Sequence, residues 1–504
     1  MSEEVALKPG LKLSVFDDMT VLADPSTGSY YTFNPVAGAV VESIATCRSA
    51  CAATRGLMGR YSLDEEAARA DVGDVIEGLR RELLLAPEGA PAIHPAPAPR
   101  PDVERGSRGH VVVLQEIQHL YPLGGSAKLN RWYMEQLVAA GYDVSVFCDI
   151  DTPITRAMLG CLWSQDTLEP APQRYDDAVE FWVSGVRLLA LTENDTPTRE
   201  QVERLEPTAL ILSEDRMFGR HEVGFSVSGD VPTMWLATRP ATLPFGRHAW
   251  NRSPEATELF MATDEVVVPN VYMAEYVKNW TGRETRIIPS RPFTTPRAEL
   301  GPHDGFVTLV NPSEIKGISV FLGLADKLPH RRFAAVPGWS TTEDDLARLR
   351  ERPNVTLLRP SRDIATVLES TSVLLNPALW PESPGLLVAE AMLRSIPTAV
   401  SIVGALPEVK LGTDHLLPVS PIEEYTGGED GRGVAVPVIP SQKPETIDAW
   451  ADVVERLMSD RDHWERVAHA SHAAALTQAE AAEASSLEPP LSAMLERRAT
   501  VGVA

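Results

Sequence analysis

From residue 109 onward, short unbroken apolar runs alternate with longer stretches whose apolar positions recur every three to four residues. Val111–Leu114, Asp143–Phe147, Ala209–Leu212, Thr233–Ala237, Glu265–Val268 and Arg286–Ile288 read as strands, and Ser126–Ala140 as a helix. A second alternating series runs from Phe306 to about Val400. Continuous Val/Leu/Ile runs, unlike strictly alternating ones, belong to parallel strands buried on both faces. Two such series predict an α/β protein with two doubly wound Rossmann-like domains and a cleft between them. Helices rich in Ala and acids follow over 442–499, after a loop near Tyr425–Gly433 rich in glycine and acid.

The first 85 residues carry a different pattern. Leu11–Phe16 and Met19–Ala23 are short β-like runs, and Asp24–Gly28 has turn chemistry. Ser29–Phe33, with Tyr30, Tyr31, Thr32 and Phe33, reads as the best strand because aromatic and β-branched side chains suit a pleated surface. Asn34-Pro35 opens a helix with Val36, Val40 and Ile44 on one face. Ser62 and Glu65 have the spacing of a capping box for a third helix, whose apolar face is Val72, Val75, Ile76, Leu79 and Leu83. The module is α+β.

Between the two lies Ala86–Pro101, with six prolines in 16 residues. Proline lacks an amide donor and favours extended backbone, so this stretch is a semi-rigid spacer. The expected organisation is a small module at 1–85, a linker at 86–108, α/β domains at 109–300 and 301–480, and a C-terminal helix or tail at 481–504.

Composition narrows the function classes. The 504 residues carry 46 Lys+Arg against 70 Asp+Glu, a net charge of −24. That disfavours a nucleic-acid partner, whose phosphates need neutralising, and docking on anionic lipid. No basic-then-apolar segment opens the chain, and no run approaches a membrane span. A cytoplasmic location is expected, with Cys47, Cys51, Cys148 and Cys161 as free thiols.

The chemistry-bearing stretch is Trp380–Met392, which holds Glu382 and Glu390 eight residues apart. Pro384 suits a helix start, which leaves Glu382 in the preceding loop and Glu390 about two turns in. A helix start after a buried strand is a ready anion site, so backbone amides near Ser383, Gly385 and Leu386 could take a diphosphate. Upstream, Asn311-Pro312-Ser313-Glu314-Ile315-Lys316-Gly317 again lies between a strand and a helix, with Lys316 as a point charge for phosphate. Downstream, Val403-Gly404-Ala405-Leu406-Pro407-Glu408-Val409 is a glycine turn into a helix. Gly124-Gly125-Ser126 precedes the first helix of the large module, where glycine permits close backbone approach.

This ordered set resembles the retaining GT-B glycosyltransferases of the family-4 type over roughly residues 109–480. The resemblance implies a nucleotide-sugar as donor substrate, with no cofactor and no metal. It assigns Glu390 to the nucleotide ribose, Glu382 to the donor sugar, and Lys316 with the glycine-loop amides to the diphosphate. Gly124, Gly125, Ser126 and Gly404 would line the donor site, with Arg359 near the base. Two departures stand out. Asn311 occupies a position that is arginine in many members, leaving Arg291 or Arg239 to supply a second cation. The strand Thr233–Ala237 ends without the family's histidine, which leaves His119 as a candidate at the cleft mouth. Asp149-Ile150-Asp151 superficially matches a metal-binding Asp-x-Asp but follows a strand in the wrong domain for donor binding.

The small module resembles the PqqD family of winged-helix, peptide-binding domains, the recognition elements of ribosomal peptide biosynthesis. The resemblance implies a leader peptide added as a strand at Tyr30, Tyr31, Thr32 and Phe33, against a wall of Val72, Ile76 and Leu79. With 13 acids against 8 bases, the module lacks the charge of a DNA-reading winged helix. Together the two resemblances imply a retaining transfer of a hexose from a nucleotide-sugar to a leader-bound precursor peptide. The alternatives are a glycosyltransferase for a small molecule or glycan, and a non-catalytic GT-B scaffold.

Overall fold

The computed structural model describes all residues except 1–4, 9, 17–18, 25–28, 48–49, 62–63, 83, 86–107, 117–123, 149–167, 176–177, 192–195, 228, 230, 361–362, 428–433 and 502–504. The proline-rich linker, Ser62, His119, the Asp149–Asp151 triplet and Cys161 therefore lie outside the described residues. The chain divides into two units, one built mainly from residues 1–103 and one mainly from 104–149 and 185–504.

In the first unit, β1 (Lys12–Phe16), β2 (Met19–Asp24) and β3 (Ser29–Phe33) form an antiparallel sheet in that order. Three helices follow, α1 (Pro35–Cys47), α2 (Ala50–Tyr61) and α3 (Glu65–Arg81). Asn34 caps α1 as expected, its Oδ1 accepting from the Ala37 amide at 2.9 Å. The cap of α3 is Asp64, which accepts from the Ala67 amide at 2.8 Å. The Ser62/Glu65 spacing predicts that helix start two residues earlier, on Ser62. Asp is as good a cap as Ser, and position 64 directly precedes Glu65. Leu22, Val40, Ile44, Leu57, Val72, Ile76 and Leu79 share one buried core, against which Tyr31 and Phe33 pack. Among the described residues β3 pairs with β2 alone, so its other edge is open. Two later strands, β6 (Leu168–Tyr175) and β7 (Ala178–Val183), belong for the most part to this unit.

The second unit holds two parallel sheets. The first comprises β4 (His110–Gln115), β5 (Asp143–Cys148), β8 (Val186–Leu191), β9 (Ala209–Ser213), β10 (Thr233–Leu236), β11 (Glu265–Val268) and β12 (Arg286–Ile287). Their order is β12-β11-β10-β9-β4-β5-β8, with every pairing parallel. The second sheet comprises β13 (Phe306–Val310), β14 (Phe333–Val336), β15 (Val355–Leu357), β16 (Thr371–Asn376), β17 (Thr398–Ser401) and β18 (Leu416–Leu417). Its order is β15-β14-β13-β16-β17-β18, all parallel. This is the doubly wound order 3-2-1-4-5-6, whose direction reverses between β13 and β16. The central strands are apolar and buried on both faces, as their unbroken Val/Leu runs predicted. Helices Pro444–Ser459, Arg461–Glu483 and Glu488–Val501 complete the unit. Among the described residues no helix is long and apolar enough to cross a membrane.

Candidate active site

In a doubly wound sheet, ligands bind beyond the strand ends at the point where strand order reverses. Here that point lies past the ends of β13 and β16. Lys316 follows β13, in a single 3-10 turn over Glu314–Lys316. Glu382 follows β16, and Glu390 lies in the helix Leu386–Leu393. That helix starts two residues later than Pro384 suggested, because Gly385 takes a left-handed conformation and forms its N-cap. Glu390 is thus little more than one turn in, not two.

Lys316 and Glu382, 66 positions apart, meet directly: the Lys316 ammonium donates to Oε1 of Glu382. The Trp380 indole N–H donates to the same oxygen at 3.0 Å. The ammonium also lies 5.0 Å from the Trp380 ring centroid and 5.9 Å from that of Trp339. A cation over an aromatic face is stabilised by the ring quadrupole, so the two indoles hold the charge as well as shield it. Backbone packing fixes the carboxylate. The Ala405 amide donates to the Glu382 carbonyl at 2.8 Å. Gly404, with φ at 63°, sits so close that a Cβ there would lie 2.6 Å from the Glu382 nitrogen. Gly404 therefore supports Glu382 through the backbone.

Glu390 is 3% exposed. Its Oε1 accepts from the Phe293 amide at 3.1 Å. Burial raises its pKa above the usual carboxylate range, partly opposed by the Lys128 charge and the Phe293 amide. Ser383 is buried, and its hydroxyl accepts from Asn270 Nδ2 at 3.1 Å. Leu386 is buried too, with its Cδ1 3.3 Å from where a Cβ on Gly125 would stand. Gly124, with φ at 89°, caps the helix Gly125–Ala139. The Ser126 hydroxyl lies 3.0 Å from that of Thr238, which also donates to the buried Glu214 carboxylate. Arg359 is exposed.

Of the two arginines considered as a second cation, Arg291 pairs with Glu483 at 3.0 Å. Arg239 pairs with Glu214 at 2.6 Å and lies 5.0 Å over the Trp250 ring. Trp250 in turn stacks on Trp380, with centroids 6.1 Å apart and planes inclined by 22°. An aromatic and cationic series thus runs Arg239, Trp250, Trp380, Lys316, Trp339. Sequence reasoning missed the three tryptophans and Glu214. Only Trp380 had a signal, its place two residues before Glu382. Among the described residues no group of three His, Cys, Asp or Glu side chains could hold a metal ion.

In the first unit, Val72, Ile76 and Leu79 are buried in the module's core. Tyr31 and Phe33 are partly buried on β3. The side chains of Tyr30 and Thr32 lie outside the described residues.

Residues 20–85 match the family model of coenzyme PQQ synthesis protein D (PqqD). Comparison with curated proteins finds no match. Among solved structures, sucrose-phosphate synthase from Thermosynechococcus elongatus is 16% identical with a TM-score of 0.52, over 78% of this chain and 98% of its own. HepE from Anabaena, in complex with UDP and glucose, is 14% identical with a TM-score of 0.51, over 77% and 100%. A glycosyltransferase from Rickettsia africae is 10% identical with a TM-score of 0.50, over 78% and 98%. At these identities the likeness is one of fold. The chain has the two-domain GT-B fold of glycosyltransferases, together with a PqqD-like module.

Proposed function

We propose that this chain is a retaining glycosyltransferase that moves a hexose from a nucleotide-sugar to a ribosomally made precursor peptide, whose leader is held by the N-terminal module. The observation that carries the transferase reading is the meeting of Lys316 and Glu382 at the point where the strand order of the second sheet reverses. A cation and a carboxylate there match the two ends of a sugar diphosphate, one anionic and one rich in hydroxyls.

On donor binding, the Lys316 ammonium exchanges Glu382 for the diphosphate and stabilises the charge that develops as the glycosidic bond breaks. Glu382, released from Lys316 but kept by Trp380, accepts hydrogen bonds from the sugar hydroxyls. Glu390 accepts from the ribose. The acceptor's proton leaves on a phosphate oxygen, so the step needs no separate protein base.

The peptide part of the reading is supported by the PqqD match and by the edge of β3 that is unpaired among the described residues. A leader added there gains main-chain hydrogen bonds along the strand. Tethering through the linker raises the local concentration of the core peptide to the order of mM. Hexose transfer to a purified precursor, with and without its leader, tests the reading. Loss of transfer without the leader supports it. Equal transfer to free small acceptors favours a small-molecule glycosyltransferase instead.

A further inference from the structure

Asn311 directly follows β13 in a left-handed conformation, with φ at 59°, and is almost fully buried. Its Oδ1 accepts three hydrogen bonds from one loop: from the Ser340 amide at 3.0 Å, the Ser340 hydroxyl at 3.0 Å and the Thr341 hydroxyl at 3.3 Å. Its backbone N–H donates to the Val336 carbonyl at 2.7 Å. Gly338 packs on its side chain, where a Cβ would come within 2.7 Å. Ser313 adds a contact of 2.8 Å to the Ser340 hydroxyl. The loop is therefore clamped on both sides of Trp339. Asn311 Nδ2 stays buried without a partner among the described residues. Such an orphan donor is a cost that the three bonds to the loop must offset.

The clamped residue itself is 50% exposed. Its ring lies 6.0 Å from Trp380 and stands over the Lys316 ammonium. Its indole nitrogen is 3.9 Å from where a Cβ on Gly124 would stand, so it faces the glycine turn of the first sheet's domain. An indole that is half exposed, on a loop clamped by Asn311 and beside the cation and carboxylate of the site, has the chemistry of a platform for a sugar ring. The C–H face of a hexose is apolar and its rim is polar. An indole meets the face while groups such as Glu382 meet the rim.

We infer that Trp339 is a specificity-determining residue that stacks on the donor hexose, and that Asn311 is the positioning residue that presents it. This rests on the donor-site reading above. The test is calorimetric titration of the full chain with UDP-, ADP-, GDP- and TDP-glucose, each paired with its free nucleoside diphosphate. Trp339→Ala is expected to lower the preference for the sugar nucleotide over its free diphosphate by roughly three- to tenfold. Trp339→Phe is expected to retain most of the preference for the sugar nucleotide. Asn311→Ala is expected to lower the same ratio, since a merely structural loss would weaken both ligands alike. Thr341→Val, which removes one bond of the clamp, gives a milder drop and covers the case in which Asn311→Ala does not fold. An unchanged ratio in Trp339→Ala, with wild-type binding intact, overturns the role of Trp339 alone. Absence of binding of every pair by the wild-type chain overturns the donor-site reading and this inference with it.

Discussion

The Lys316 ammonium and the Glu382 carboxylate form a direct ion pair, framed by the indoles of Trp380 and Trp339. The pair is only slightly exposed to solvent. Removing one member of such a pair leaves the other charge uncompensated. Lys316→Met should lower hexose transfer by about 10²- to 10³-fold, the scale of losing one group that stabilises developing charge. Steady-state kinetics with saturating donor reads this directly. A variant with wild-type turnover would remove Lys316 from the mechanism.

Glu390 predicts a pH dependence. Its folded pKa is raised by burial, so it takes up a proton at a higher pH than an ordinary carboxylate. The protonated acid is the weaker acceptor for ribose hydroxyls. Donor affinity should therefore fall as the pH drops, beginning above the usual carboxylate range. Glu390→Gln should bind donor weakly at all pH values and show no such slope. Titrations across pH with both proteins decide it.

Gly404 predicts a steric effect on the site. Alanine there would place its Cβ 2.6 Å from the Glu382 nitrogen, at a φ of 63°. Gly412 has a comparable φ of 77° but open space around it. Gly412→Ala should cost about 1 kcal/mol from backbone strain alone. Gly404→Ala should cost more and should also lower transfer, because Glu382 must move. Equal melting temperatures and equal activity in the two variants would contradict this account of Glu382's support.

Lys410 predicts a stability change unrelated to catalysis. It is fully buried, and its ammonium donates to the Thr398 carbonyl at 2.9 Å and hydroxyl at 3.0 Å. Burial pushes its pKa from 10.5 down to about 8. Between those values the unfolded chain holds the proton more tightly than the folded one, so stability rises with pH across that window. The gain is on the order of 2–3 kcal/mol. Denaturant unfolding at pH 7.5, 9 and 10.5 should show the rise in wild type and lose it in Lys410→Met.

The strands were legible because their signal is local. Runs such as Val111–Leu114 and Glu265–Val268 need only burial on both faces to be read. Helix starts were read less well, since Asp64 and Ser62 offer the same capping chemistry two residues apart. The site was legible as a set of chain positions. Its geometry was not. The bond from the Phe293 amide to Glu390 spans 97 positions, and that from Lys316 to Glu382 spans 66. No periodicity encodes a contact of that kind. Trp339 left no signal, because a turn residue shows its partners only once the strands set Asn311 beside it.

In the proposed function, one chain joins leader recognition to sugar transfer. Calorimetric titration of the full chain with the leader segments of precursor peptides encoded beside it tests this most directly. A tight complex with one leader is expected, of the order of μM or below for a strand-addition site. Hexose transfer to the matching core is expected to be lost when excess free leader competes. A well-folded chain that binds nucleotide-sugar but no leader would contradict the peptide assignment.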